Sequence, residues 1–162
     1  EREAEDVGAA VAAALERSLA GGADGSGAAV PLGSLCVLPG RTVWALHVDC
    51  VVLASDGAPL SALALGARAA LADAAVPRVE VAEAIEAGED PELEVDDDPA
   101  AAVRLDCAQC PVVVQVARVG GRCVVDPTAA EEAHQEAAVA CAVRPDGGVA
   151  AMTLAGGGGP HA

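Results

Sequence analysis

From Val43 to Leu53 the side chains alternate, and no other feature of this chain constrains its fold as much. Trp44, Leu46, Val48, Cys50 and Val52 fall on one face of an extended strand, while His47 and Asp49 share the other with Val43, Val51 and Leu53. One face is dry and the other mixed, so the dry face needs a covering layer. The surrounding segment, Ser34 to Leu71, reads strand, turn, strand, turn, helix. Asp56-Gly57 signals a turn, and Pro59 suits a first helical turn because its fixed φ is already helical and its missing N–H is not needed there. Leu60, Leu63, Ala67, Ala70, Leu71 and Ala74 recur at three- and four-residue spacing, which predicts a helix from Pro59 that lies on the dry face and ends by Pro77.

At 162 residues the chain is long enough for one domain or two small ones. It lacks an initiating Met, opens on EREAED and stops at GGGGPHA, so it reads as a piece of a longer protein. All nine basic residues are Arg, and Lys, Asn, Phe and Tyr are absent, the pattern of a GC-rich coding sequence. Every apolar run is cut by charge, Gly or Pro well before the roughly 18 residues of a membrane span. No signal peptide is visible. The net charge of -16 argues against a general polyanion-binding surface, so any contact with a polyanion has to be local. Cys36, Cys50, Cys107, Cys110, Cys123 and Cys141 sit mostly in apolar strand-like runs, where a free Cys acts as a small buried hydrophobe in a reducing compartment.

Ahead of the central segment, Glu3 to Leu19 is Ala-rich, with Val7, Val11, Leu15 and Leu19 at four-residue steps, and reads as a helix. GGADGSG, from Gly21 to Gly27, is a flexible loop. After the helix, Arg78 to Ala82 adds a short strand. Glu86, Glu89, Asp90, Glu92, Glu94 and the run Asp96-Asp97-Asp98 then form an acidic connection, read as a solvated face because it lacks the spacing of a calcium loop. A strand-rich part follows: VRLD, Val112 to Val119, a Gly120-Gly121 hairpin turn and Arg122 to Val125. AAEEAHQEAA fits either a short helix or an ordered loop. Val139 to Arg144 and Val149 to Leu154 flank a second hairpin turn, Pro145-Asp146-Gly147-Gly148.

The residue clusters that could carry chemistry are sparse. Cys107-Ala-Gln-Cys110 has CxxC spacing, but no second CxxC accompanies it, and His47, His134 and His161 are scattered. Pro111 and a Val-rich strand follow it, where a redox pair needs an electropositive helix N-terminus. No nucleophile elbow, P-loop or dinucleotide fingerprint is present. Glu131, Glu132 and Glu136 could serve acid–base or metal work, but taken alone they read as solvated. No metal or cofactor is expected.

Three stretches, VDCVVLASDG, DDDPAAAVRL and VVDPTAAEEA, occur here in that order. Together they resemble the RNase PH family, and most closely the non-catalytic ring subunits of the eukaryotic RNA exosome, the Rrp-forty-two type. The resemblance runs from Glu1 to about Gly157. It implies an α+β, RNase PH-like fold of two βαβα-like units, present as a fragment that lacks the N-terminal strands and a C-terminal helix. On that pattern residues 1–82 are the later half of the first unit, 83–99 the acidic connection, 100–157 the second unit and 158–162 a tail.

Active members of that family cleave RNA from its 3′ end with phosphate, which they hold with a Thr/Ser-Arg pair after DGG at a helix N-terminus, a natural anion site. Here the corresponding positions are Pro59 and Leu60, so hydroxyl and guanidinium are both missing. Two catalytic aspartates six residues apart correspond to Glu132 and Ala138, of which one carboxylate remains. The resemblance therefore implies a non-catalytic subunit. Its partners would be other RNase-PH-like ring subunits, RNA-binding cap subunits and RNA passing through the ring channel, with no membrane, in the nucleus, nucleolus and cytoplasm. Arg2, matched to an Arg of the family's EGRGG-like segment, is the candidate RNA contact. An active phosphorolytic RNase of the same fold and a thiol-redox or metal domain built on Cys107 and Cys110 are the alternatives.

Overall fold

A computed structural model of the chain describes residues 2–22, 26–81 and 92–156, without the side chains of residues 2–6, 155 and 156. Residues 23–25 of the Gly-rich loop, Glu86, Glu89 and Asp90 of the acidic run, and the tail from 158 to 162 lie outside the described residues.

The second half of the chain builds a four-stranded antiparallel sheet in the order β10-β9-β7-β8. Its strands are β7 (Val112–Val119), β8 (Arg122–Val125), β9 (Gln135–Val143) and β10 (Val149–Gly156). The turn between β7 and β8 is the expected Gly120-Gly121 pair, at φ 55° and 76°, a left-handed pair of the kind that tight hairpins require. Val113 and Ala117 of β7 and Ala138, Ala140 and Ala142 of β9 are buried on the inner face.

Two helices use that face. α1 (Arg2–Ala20) contributes Ala14 and Leu15 to the core cluster, and α2 (Pro59–Asp73) contributes Leu60, Ala64 and Ala67. Helix α2 starts at the expected Pro59, but its deepest stripe includes Ala64, while Ala70 is exposed. Leu60, Ala64 and Ala67 pack toward β7, where the small Ala side chains match the Ala-lined sheet face, while Leu71 of the same helix joins a second cluster against which Trp44 of the alternating segment packs.

The alternating segment itself departs from expectation. β1 (Cys36–Leu38) and β2 (Thr42–Val43) form a short hairpin, and from Ala45 to Cys50 no ladder continues. The last cross-connection is the Trp44 N–H to the Leu35 carbonyl, at 2.8 Å. A strand exists as such only where a neighbour exchanges hydrogen bonds with it, and no described strand runs beside these residues. The alternation survives as a difference in exposure. Leu46 and Val48 are 39% exposed, against 81% for Val51 and 95% for Leu53. Trp44, Leu46, Val48, Cys50 and Val52, the whole dry face, line a groove of about 1280 Å³ with Val11, Leu15 and Leu19 of α1 and Leu63 and Leu71 of α2, and His47 and Asp49 of the other face reach it as well. Helix α2 thus lies between the sheet and the alternating segment, sealed on the first side and open on the second.

A second core cluster, Val30, Leu35, Leu71 and Leu105, closes the far end of α2. There β3 (Ala75–Val76) pairs with β6 (Val103–Arg104), and β4 (Val79–Val81) with β5 (Leu93–Val95). In the acidic run the Asp96 and Asp98 carboxylates accept from the backbone of Asp98 and Ala100, each at 2.9 Å, and so form turns rather than a cation site. The cysteines also depart from expectation. Cys110 is buried, but Cys36, Cys50 and Cys123 are exposed: Cys36 lies in the short β1–β2 hairpin, Cys50 in the unpaired segment, and Cys123 on the outer face of the sheet opposite Arg118.

The fit between α2 and β7 sets a test. Replacing Ala64 by Leu forces a branched side chain into the cluster that holds Val113 and Ala140, and should lower the stability measured by urea unfolding by about 1–3 kcal/mol. Leu65→Ala, on the exposed side of the same helix, should change it by less than about 0.5 kcal/mol.

Candidate functional site

Two turns that are far apart in sequence meet at the start of α2. The first is Asp56-Gly57-Ala58, and the second is Asp126-Pro127-Thr128, which follows β8. The Asp56 carbonyl accepts from Ala129 N–H at 2.9 Å, and the Asp126 N–H donates to the Gln115 carbonyl at 3.1 Å. Gly57 sits at φ 100°, and a Cβ there would fall 2.1 Å from the Pro127 carbonyl oxygen. Only glycine allows both that backbone angle and that approach.

Thr128 opens the one-turn helix α3 (Ala129–Glu132); of the segment AAEEAHQEAA, expected as a short helix or an ordered loop, only this first part is helical, and from Gln135 it is strand β9, because Gln135 to Ala138 pair with β7. The Thr128 hydroxyl accepts from Glu131 N–H at 3.3 Å, and the Glu131 carboxylate accepts from Thr128 N–H at 2.8 Å, a reciprocal cap written in the sequence as Thr-x-x-Glu. The capped turn aims Glu132 back at α2. Glu132 Oε1 accepts from Ala58 N–H at 3.0 Å and from Gln115 Nε2 at 2.7 Å. Ser61, in the first turn of α2, accepts from Gln115 N–H through its hydroxyl at 3.2 Å.

Of the residues singled out from sequence, Pro59, Leu60 and Glu132 converge here. Pro59 is the first residue of α2 and has no N–H to offer. Leu60 is 7% exposed and turns into the main core cluster. Ala138 is buried in β9 on the inner sheet face, opposite Ala117, in the sheet below and not in the turn. Arg2 begins α1, with its side chain outside the described residues.

The three glutamates read as solvated are each engaged, and with different partners. Glu131 caps α3, Glu132 reaches α2, and Glu136 takes Arg118 Nε at 3.0 Å and Gly121 N–H at 3.2 Å. They are spoken for because each lies beside a turn or helix end with spare N–H groups. Sequence reasoning missed Gln115. The signal was present: it is a polar residue at an inward position of a Val-rich strand, and a buried amide needs partners.

The CxxC pair forms a turn, with Cys110 N–H on the Cys107 carbonyl at 3.0 Å, and Arg68 of α2 donates to the Cys110 carbonyl. Burial pushes both thiols up. Asp106 adds to the rise at Cys107 and Cys107 to that at Cys110, while Arg68 opposes it at both. That environment disfavours the thiolate on which redox and metal chemistry depend. No group of three or more His, Cys, Asp and Glu side chains converges among the described residues.

Two tests follow from this geometry. Gly57→Ala should cost well over 1 kcal/mol in urea unfolding, since both the left-handed angle and the contact with Pro127 are lost. For the thiols, a folded-state pKa raised above the ordinary 9.0 favours folding while the group is protonated, and that contribution is lost as pH rises from about 9 through the folded value. Stability of the chain should therefore fall above pH 9, and less so in a Cys107→Ala/Cys110→Ala variant.

Two family models match this chain. The model for domain 1 of the 3′ exoribonuclease family covers residues 2–77, and that for domain 2 covers residues 109–161. An "Exosome complex component Rrp42" of Methanosarcina acetivorans is 32% identical over 128 residues, 79% of this chain and 42% of the relative. A "Putative exosome complex exonuclease RRP42" of Dictyostelium discoideum is 36% identical over 98 residues, 59% of this chain and 29% of the relative. Among solved structures, a chain of an archaeal exosome core superposes with a TM-score of 0.70 at 29% identity, over 94% of this chain and 53% of that one. A chain of the Archaeoglobus fulgidus exosome with RNA bound to the active site gives 0.62 at 31% identity, over 91% and 50%. The chain thus spans about half the length, or less, of the relatives it matches.

Proposed function

The chain belongs to the 3′ exoribonuclease (RNase PH) family, and we propose that within it the chain serves as a non-catalytic, structural subunit of an RNA exosome ring. It would support ring assembly and the passage of RNA toward 3′–5′ processing and degradation carried out by other subunits. The observation that carries this reading is the state of the α2 N-terminus. Binding phosphate there takes N–H groups, a hydroxyl or a guanidinium directed outward. This chain has Pro59, which has no N–H, and Leu60, whose side chain is taken up by the core. The carboxylate of Glu132 already holds two N–H donors, and Ala138 offers no acid in place of a second one.

Partnership with other RNase-PH-like chains is supported by the outer face of the four-stranded sheet. Val112, Val114, Val125, Val143, Met152 and Leu154 stand exposed on it, an apolar face of the kind that marks protein contacts. The net charge of -16 disfavours pairing with identical copies and favours neighbours of lower acidity. In the ring the chain would also meet RNA-binding cap subunits, with Arg2 as its RNA contact at the channel. A eukaryotic protein of this kind would work in the nucleus, nucleolus and cytoplasm.

The full-length protein should not shorten single-stranded RNA in phosphate buffer, and it should co-purify with other RNase-PH-like subunits. Nucleoside diphosphates released in proportion to added phosphate would establish the alternative, an active phosphorolytic RNase.

A further inference from the structure

We propose that Glu132 is a positioning residue whose carboxylate supplies, from 74 residues away, the cap that α2 lacks, and that a side chain of glutamate length is required for this. The inference deepens the non-catalytic reading: the family's acidic position has been retained here as a clasp between the two units.

The first observation is an unmet need at α2. Its N-cap residue is Ala58, which has no side-chain acceptor and sits in the left-handed region at φ 44°, a conformation unfavourable for any residue with a Cβ. Ala58 is 1% exposed, so water cannot satisfy its N–H. The Gln115 side chain, on the buried face of β7, has the same need. A single oxygen, Glu132 Oε1, accepts from both. A carboxylate at this place also opposes the positive end of the α2 dipole.

The second observation is that both backbones are held in place by contacts of their own. Glu132 is held by the Thr128–Glu131 cap, and Ala129 is bonded to Asp56 at 2.9 Å. On the opposite side, Gly57 is pressed against Pro127. With both walls fixed, the length of the side chain decides contact. Aspartate is shorter by one carbon–carbon bond, roughly 1.5 Å, which leaves both donors out of hydrogen-bond range. An aspartate in place of Glu132, the residue type that the family resemblance puts there in active members, would therefore open the clasp.

Hydrogen exchange at individual amides of the whole chain tests this. In Glu132→Ala and Glu132→Asp, the Ala58 amide should exchange at least about tenfold faster than in the unmodified chain, the factor expected from losing a charged hydrogen bond. Amides of the β9–β10 hairpin should keep their rates. Glu132→Gln retains a neutral acceptor of the same length and should fall between the unmodified chain and Glu132→Ala. Glu132→Asp with unmodified Ala58 exchange overturns the proposal, as does Glu132→Gln behaving like Glu132→Ala. If the Ala and Asp variants do not fold, Glu132→Gln decides: folding with intermediate exchange at Ala58 supports the clasp, and failure to fold overturns it. RNA shortening assayed on the same proteins separates the two readings, since phosphate-dependent activity would sink the scaffold function while leaving the exchange result standing.

Discussion

A buried N–H must have a partner, and in this chain the N–H of Ala58 finds one only if the two halves of the molecule come together. Helix α2 belongs to the first half by sequence, yet its cap, its core neighbours on the sheet and the wall behind its first turn all come from the second. The carboxylate of Glu132 is the point at which these requirements meet. An unpartnered donor in that place would cost on the order of 1–3 kcal/mol, a substantial part of a small domain's net stability.

The rest of the interior follows the same logic of close approach. Ala64 and Ala67 of α2 share one buried cluster with Val113 of β7 and Ala140 and Ala142 of β9, so few large side chains stand between helix and sheet. Such packing is dense but removes little apolar surface per residue, and apolar area sets the scale of hydrophobic stabilisation. What the Ala-rich core does not bury remains outside, on the valines of the outer sheet face and in the groove beneath the alternating segment.

Local signals in the sequence were legible where the chain supplies its own partner. Pro59 marked the start of α2 and Gly120-Gly121 the β7–β8 turn, because each depends on residues within a few positions; the Thr128-x-x-Glu131 cap of α3 is just as local but was not read as one. The alternation of residues 43–53 survives only in part: its dry face lines the groove, but so do His47 and Asp49 of the other face, and the segment lacks a paired strand, since pairing is a property of neighbours and not of a segment. The site was partly legible. Resemblance directed attention to Pro59, Leu60, Glu132 and Ala138, and the structure brings the first three together around the start of α2. Glu132 was read as solvated because nothing in AAEEAHQEAA reveals a donor 74 positions earlier. Gln115 could have been suspected from its inward place among valines.

The distance between Ala58 and Glu132 along the chain also translates into time. At about 5–20 residues per second, synthesis of the 74 residues that separate them takes roughly 4–15 s. Through that interval the emerging first half carries a helix without its cap and an apolar stripe without its sheet. Local structure forms in microseconds, so the delay lies in waiting for the second half. A nascent chain of this design is thus exposed for several seconds during every round of translation, and ribosome-associated chaperones have that long a window in which to hold it.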